Sequence, residues 1–210
     1  KEYALEHNLN LLQPMNLKDE AFISELKSLN ANLQVVVAFR MLPKVVWEMP
    51  KFGTFNLHAS LLPDYCVAAP IIFFIIFLFK KTGVTTFFID DKIDTGAMIL
   101  RKEIDIQSHE NAGGLHDRLM NLGSETVIET LALIENQKTS TTIQSDTDNL
   151  KTAHKLNKEN CKINWNESGE SIYNLIRGLS PYPSAWFFLH VKEKELNVKV
   201  YDSKWINETH

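Results

Sequence analysis

The chain has 210 residues, 44% of them hydrophobic and 23% charged, which is enough for one sizeable domain, or one domain and part of another, and excludes disorder of the whole chain. The formal net charge of −4 also excludes a strongly basic protein that would coat nucleic acid through charge alone. The charge is uneven: residues 1–150 carry 13 basic against 19 acidic side chains, and residues 151–210 carry 9 against 7. A mildly basic tail suits a phosphate backbone, although a difference this small is ordinary by itself.

The opening "KEYALEHNLN" has neither the basic start nor the apolar core of a signal peptide. It lacks an initiator Met and reads like the middle of a helix, so the chain is expected to be a fragment. Lys18–Asn30 has apolar residues at 22, 23, 26 and 29, the spacing of a helix. "LQVVVAF", Leu33–Phe39, reads as a strand buried on both faces. Gly53–Ala59 is the next strand. The apolar run Val67–Phe79 spans 13 residues, short of the about 20 that a membrane-spanning helix needs. It reads as a buried helix with Pro70 in its first turn.

Strands are expected at Val84–Ile89 and Met98–Ile106, then a long amphipathic helix over Asn111–Asn136. Its inward face holds Leu115, Leu119, Leu122, Leu131 and Ile134. Strands alternating with helices indicate an α/β layer with a mainly parallel sheet. "QKTSTTIQSDTD", Gln137–Asp148, has little to bury and reads as a linker. Beyond it a helix is expected around Ser168–Leu179 and strands at Ala185–Val191 and Leu196–Tyr201, in a second small domain of β-barrel type. The two cysteines, Cys66 and Cys161, are far apart and form no CxxC pair. That argues against a zinc site or redox dithiol and for a reducing cytoplasm.

The chemistry concentrates in "FNLHASLLP" and "DDKIDTGAM". Residues two apart on a strand share a face, so Asn56 and His58 point one way and Leu57 the other. They stand at the end of their strand, where open α/β sheets bind ligands. Asp94 follows the next strand, beside Thr95 and Gly96. An amide, an imidazole and a carboxylate suit acyl transfer without a covalent nucleophile. The amide and an imidazole N–H can stabilise a developing oxyanion, and the carboxylate can orient the imidazole and help remove a proton. By spacing alone the cluster equally fits an ordinary hydrogen-bonded histidine and a turn aspartate.

"FNLHASLLP", "AAPI", "TGVTTFFID" and "KIDTG" occur in this order, followed by "ENAGGLHDRLMNLGSETVIETL" and "CKINW…IYNLIRGLSPYPSAW". The set resembles the 10-formyltetrahydrofolate-dependent formyltransferases, and within them the methionyl-tRNA formyltransferases, over nearly the whole chain. The resemblance implies a Rossmann-like catalytic domain (1–136), a linker (137–152) and an OB-like barrel (153–210), the first and last incomplete. It implies transfer of the formyl group of 10-formyltetrahydrofolate to the α-amine of methionine on initiator tRNA, for translation initiation in the cytoplasm. Asn56, His58 and Asp94 take the catalytic positions. Ser60, Leu61, Leu62 and Pro63 take a folate-binding position. Ala38–Pro43, with Phe39, Arg40 and Met41, takes that of the wall that holds the pterin through its backbone.

The OB-like domain is expected to touch tRNA, with lysines at 151, 155, 158, 162, 192, 194, 199 and 204. No metal and no membrane are implied, and a monomer is expected. Asp90 and Asp91 read as solvated turn residues. An amino-sugar-nucleotide formyltransferase and a non-catalytic folate- or tRNA-binding relative are the alternatives. The chain departs from the family where "YRGAAP" is replaced by "YCVAAP", which places Cys66 and Val67 in the positions of an Arg and a Gly. It departs again in "IIFFIIFLFKKTG": a helix apolar all round must be buried on every side, whereas one at a substrate cleft should have a wet face.

Overall fold

Four short strands rich in Val, Thr and Phe build the central sheet in the order β1 (Gln34–Val37), β2 (Thr54–His58), β3 (Lys81–Phe88), β4 (Met98–Asp105). This computed structural model describes residues 1–38, 40–63, 70–144 and 156–206. The calls on Phe39, Cys66, Val67, Lys151 and Lys155 lie outside them. β1 runs parallel to β2, with Val36 opposite Asn56. β2–β3 and β3–β4 are antiparallel. The expected mainly parallel sheet is therefore mixed among the described strands. Residues 89–97, between β3 and β4, are too few for the dozen or more that a parallel crossover needs.

β1 also differs from its expectation of burial on both faces. It lies at the edge of the described sheet, and Val35 and Val37 are 41% and 57% exposed. A continuous valine run gives no alternation from which the open face could be told.

The helix predicted at 18–30 forms as α2 (Glu20–Ser28), after a short α1 (Glu2–Glu6); Asp19 caps α2 by accepting from Phe22 N–H. A single turn, α3 (Lys44–Trp47), follows β1. The long helix α5 (Ala112–Glu135) lies across the sheet, capped by Asn111, which accepts from Gly114 N–H. Leu115, Leu119 and Ile134 are buried on it. Gly123 lets α5 approach β2: a Cβ there would stand 2.9 Å from Leu57 Cδ2. Leu57 thus faces α5, which leaves the alternate residues Asn56 and His58 for the opposite side of the sheet.

The apolar run forms α4 (Pro70–Ile76), and its surroundings account for its composition. Phe74 and Ile75 pack with Val84, Leu115 and Leu119. Ile72 and Ile76 pack against the core of the C-terminal part, around Ile176, Leu179 and Trp186. That core includes α6 (Gly169–Leu179). A Cβ on Gly178 would sit 2.6 Å from Ile76 Cγ1. α4 is thus held between two hydrophobic cores, and among the described residues its exit is open, with Phe77 59% and Leu78 42% exposed. Arg177, itself buried, ties the same junction. It donates to Asn174 Oδ1 and to the Glu110 carbonyl, each at 2.8 Å.

Beyond α6 an antiparallel pair forms, β5 (Ala185–Val191) with β6 (Lys194–Val200). The described C-terminal residues make a small domain with strands, in which no closed barrel is present among those residues. Part of the expected linker is anchored: Thr142 and Met98 exchange two backbone hydrogen bonds of 2.9 Å. Among the described residues no helix is long and apolar enough to cross a membrane.

Candidate active site

Val36, Asn56 and Phe87 stand side by side on β1, β2 and β3 and all line one cavity of about 470 Å³. Its far walls come from the loop after β1 (Arg40, Met41, Leu42, Pro43), from Trp47 of α3, and from Ile89–Asp94 after β3. A concave, mostly apolar site with a few polar groups is the usual form of a small-molecule pocket, and the volume is in the usual range. Asn56 Oδ1 is buried and has no hydrogen-bond partner among the described residues. A polar atom left unpaired in the interior costs free energy, and such atoms are commonly found where a ligand completes them.

His58 extends from the same face of β2. Its Nε2 lies 3.7 Å from Asp94 Oδ2, with the two side chains 16% and 23% exposed. Its Nδ1 is 2.8 Å from Ser60 Oγ. The carboxylate favours a proton on Nε2, which leaves Nδ1 to accept from the Ser60 hydroxyl. Two effects act on the imidazole. Burial, the larger, pushes its pKa below 6.5, and the Asp94 charge pulls it back up. The ring is therefore held neutral, with its N–H available as a donor.

The Asp94 loop is braced from several directions. Asp90 accepts from Lys92 N–H and, with both carboxylate oxygens, from the Thr95 hydroxyl. Asp90 thus shapes the loop besides lining the cavity, which is more than the solvated turn residue expected of it. Asp91 lines the same cavity and pairs with Lys44 at 3.5 Å. Gly96 is forced: a Cβ there would lie 1.6 Å from the Phe88 carbonyl oxygen. Gln144, which nothing in the sequence singled out, reaches this loop from beyond α5.

Of the residues predicted from sequence, Asn56, Asp94, Arg40 and Met41 meet on the cavity, with His58 paired to Asp94. Arg40 also donates to the carbonyls of Pro14 and Met15. Ser60, Leu61, Leu62 and Pro63 do not line this cavity. Ser60 and Leu62 are fully buried. The Ser60 carbonyl accepts from Thr85 Oγ1, which in turn accepts from Leu62 N–H. Val36, Trp47, Phe87 and Ile93 were not foreseen as cavity walls; single apolar residues on strands and turns carry no signal that separates lining from core.

Comparison with known proteins bears on the family. The family profile described as "Formyl transferase" matches residues 2–131, and "Formyl transferase, C-terminal domain" matches 155–210. A protein of Flavobacterium johnsoniae named methionyl-tRNA formyltransferase is 70% identical over 210 residues, which is 100% of this chain and 67% of that protein. One of Flavobacterium psychrophilum with the same name is 63% identical over 204 residues, 97% of this chain and 65% of that protein. The chain spans about two thirds of the length of these curated relatives. The crystal structure of a 4-N formyltransferase from Francisella tularensis superposes with a TM-score of 0.75 at 19% identity, covering 97% of this chain and 81% of that one, which is a likeness of fold. Two family profiles matched in order and relatives at this level of identity place the chain in the formyl transferase family.

Proposed function

We propose that the chain is the greater part of a methionyl-tRNA formyltransferase, which moves the formyl group of 10-formyltetrahydrofolate to the α-amine of methionine on initiator tRNA. The observation that carries this reading is the His58–Asp94 pair beside Asn56, whose buried Oδ1 has no partner among the described residues, at the edge of one cavity. The catalytic domain is proposed to span 1–136, the linker 137–152 and an OB-like domain 153–210, acting in the cytoplasm as a monomer.

In this reading the amine nitrogen attacks the formyl carbon and a C–N bond forms. Negative charge collects on the formyl oxygen. The Asn56 amide and the His58 Nε2–H donate to it, in a site that already excludes much water. The Asp94 carboxylate orients the neutral imidazole and takes up the proton leaving the amine, directly or through water. Collapse of the adduct breaks the bond from the formyl carbon to the folate nitrogen, which receives a proton in exchange. No step needs a nucleophilic side chain.

The pterin is proposed to lie against Arg40–Pro43 and Trp47, meeting backbone groups of the loop after β1. Ser60, Leu61, Leu62 and Pro63 are proposed to take part in holding the folate, and Ser60 also fixes His58 through its hydroxyl. The tRNA is proposed to lean on the C-terminal part, where Lys158, Lys162, Lys194, Lys199 and Lys204 are all exposed. The test is formylation by the full-length gene product with 10-formyltetrahydrofolate and methionine-charged initiator tRNA, scored by mass spectrometry. Formyl-methionine supports the reading. A formylated amino-sugar nucleotide with no formyl-methionine overturns it.

A further inference from the structure

The segment after α5 reads as a polar linker, yet it pairs with the catalytic half. Thr142 and Met98 exchange backbone hydrogen bonds, which brings Gln144 over the loop that follows β3. Gln144 Nε2 lies 2.9 Å from the Asp94 carbonyl and 2.8 Å from that of Gly96. One amide therefore spans both sides of the Thr95 turn. Asp94 has φ +54°, a left-handed conformation that a residue with a side chain adopts at a cost unless its surroundings hold it. Its carbonyl is one of the two groups that Gln144 holds. Asp90 and the contact of Gly96 with Phe88 fix the loop from other directions, and Gln144 adds a bond to the Asp94 backbone itself.

Resting on the reading of Asp94 as a catalytic group, we infer that Gln144 is a positioning residue, which holds the Asp94 backbone so that its carboxylate faces His58 Nε2. The contact also runs between Gln144, beyond α5, and the backbone of Asp94.

The test uses the full chain with Gln144→Met, which keeps the length and loses both donors without adding a charge. Asp94 is the charged group that acts on His58, raising its pKa against the effect of burial, and the Ser60 hydroxyl on its other nitrogen is neutral. Loosening Asp94 should thus lower the His58 titration midpoint, followed by NMR of the ring Cε1–H and assigned by its loss in His58→Gln. In Gln144→Met the midpoint should fall. In an Asp94→Asn background Gln144→Met should move it no further, the non-additivity expected of a residue acting through another. Turnover should fall about ten- to a hundred-fold with KM for both substrates little changed. An unchanged midpoint in Gln144→Met overturns the inference, as does an equal shift in the Asp94→Asn background. A shifted midpoint in a protein that formylates nothing, wild type included, keeps the positioning role and defeats the proposed function instead. If Gln144→Met fails to fold, Gln144→Leu, which is neutral and offers no donor, carries the same expectations.

Discussion

His58 Nε2 and Asp94 Oδ2 face each other at 3.7 Å although 36 positions separate them in the chain. The gap is longer than a hydrogen bond, yet the two side chains are mostly buried, so the carboxylate charge bears on the ring and raises its pKa against the effect of burial. Asp94→Asn removes that charge and keeps the size. Turnover should fall by about 10²–10⁴, the usual contribution of a positioned acid or base. Folate affinity, measured by fluorescence quenching, should change less than turnover, because the pterin wall is untouched. Equal losses in turnover and affinity would make Asp94 a binding residue.

The lowered His58 pKa has a consequence for stability. A group whose folded pKa lies below its unfolded value of 6.5 binds its proton less readily when folded. The unfolded state then takes up more protons on acidification, so stability is full above about pH 6.5 and falls as the pH drops through the lowered folded value. His58→Gln lacks this term. Its denaturation midpoint should decline less between pH 7 and pH 5 than that of the wild type, in urea titrations at each pH. Parallel declines would mean that the ring is not held neutral.

Much of the site was legible in the sequence because the strand repeats every two residues. The period placed Asn56 and His58 on one face and Leu57 on the other, and Leu57 does meet α5 at Gly123. Gln144 was not legible. It sits 50 residues from Asp94 in a stretch whose Ser, Thr and Asp content signals only a lack of core. The burial of β1 was misread because three consecutive valines do not alternate. The sheet's direction was overridden by residues 89–97, too short a connection for a parallel pair. Helix α4 was the opposite case: its composition correctly demanded burial on nearly every side, but the covering partner, α6, lies about 100 residues on.

Ser60 offers a test of tautomer control. Its side chain is fully buried and its Oγ lies 2.8 Å from His58 Nδ1. Ser60→Ala leaves that nitrogen without a partner, at a cost of about 1–3 kcal/mol for an unsatisfied buried group. It also frees the ring to flip, so turnover should drop more than folate affinity. Ser60→Thr retains the hydroxyl but adds a methyl in a packed site, so it should recover part of the turnover at some cost in stability. Chemical denaturation and formylation rates of the two variants, measured together, separate packing from orientation. If Ser60→Ala keeps full turnover, the hydroxyl does not set the tautomer.

Gly178 and Ile75 test whether α4 joins the two parts of the chain. Ile75 is fully buried, with Phe74, Val84 and Leu115 in its cluster, so Ile75→Ala should cost about 2–5 kcal/mol through lost burial and the cavity left behind. Gly178 faces α4 from α6, where an added Cβ would meet Ile76 Cγ1 at 2.6 Å, the Ile72 carbonyl at 3.3 Å and Ile75 Cγ2 at 3.5 Å. Gly178→Ala must therefore push α6 away from α4. The helical preference of Ala over Gly, about 1 kcal/mol, opposes a steric cost of about 1–3 kcal/mol, so net destabilisation is expected. Gly178→Val, bulkier and β-branched, should be worse. Phe77→Ser, at an exposed position at the end of the same apolar run, should fall within about 0.5 kcal/mol of wild type. Thermal unfolding followed by circular dichroism ranks the four. A ranking in which Phe77→Ser is as damaging as Ile75→Ala would mean that the exit of α4 is covered in the folded protein. Neutrality of both glycine variants would mean that α4 and α6 are not packed together as described.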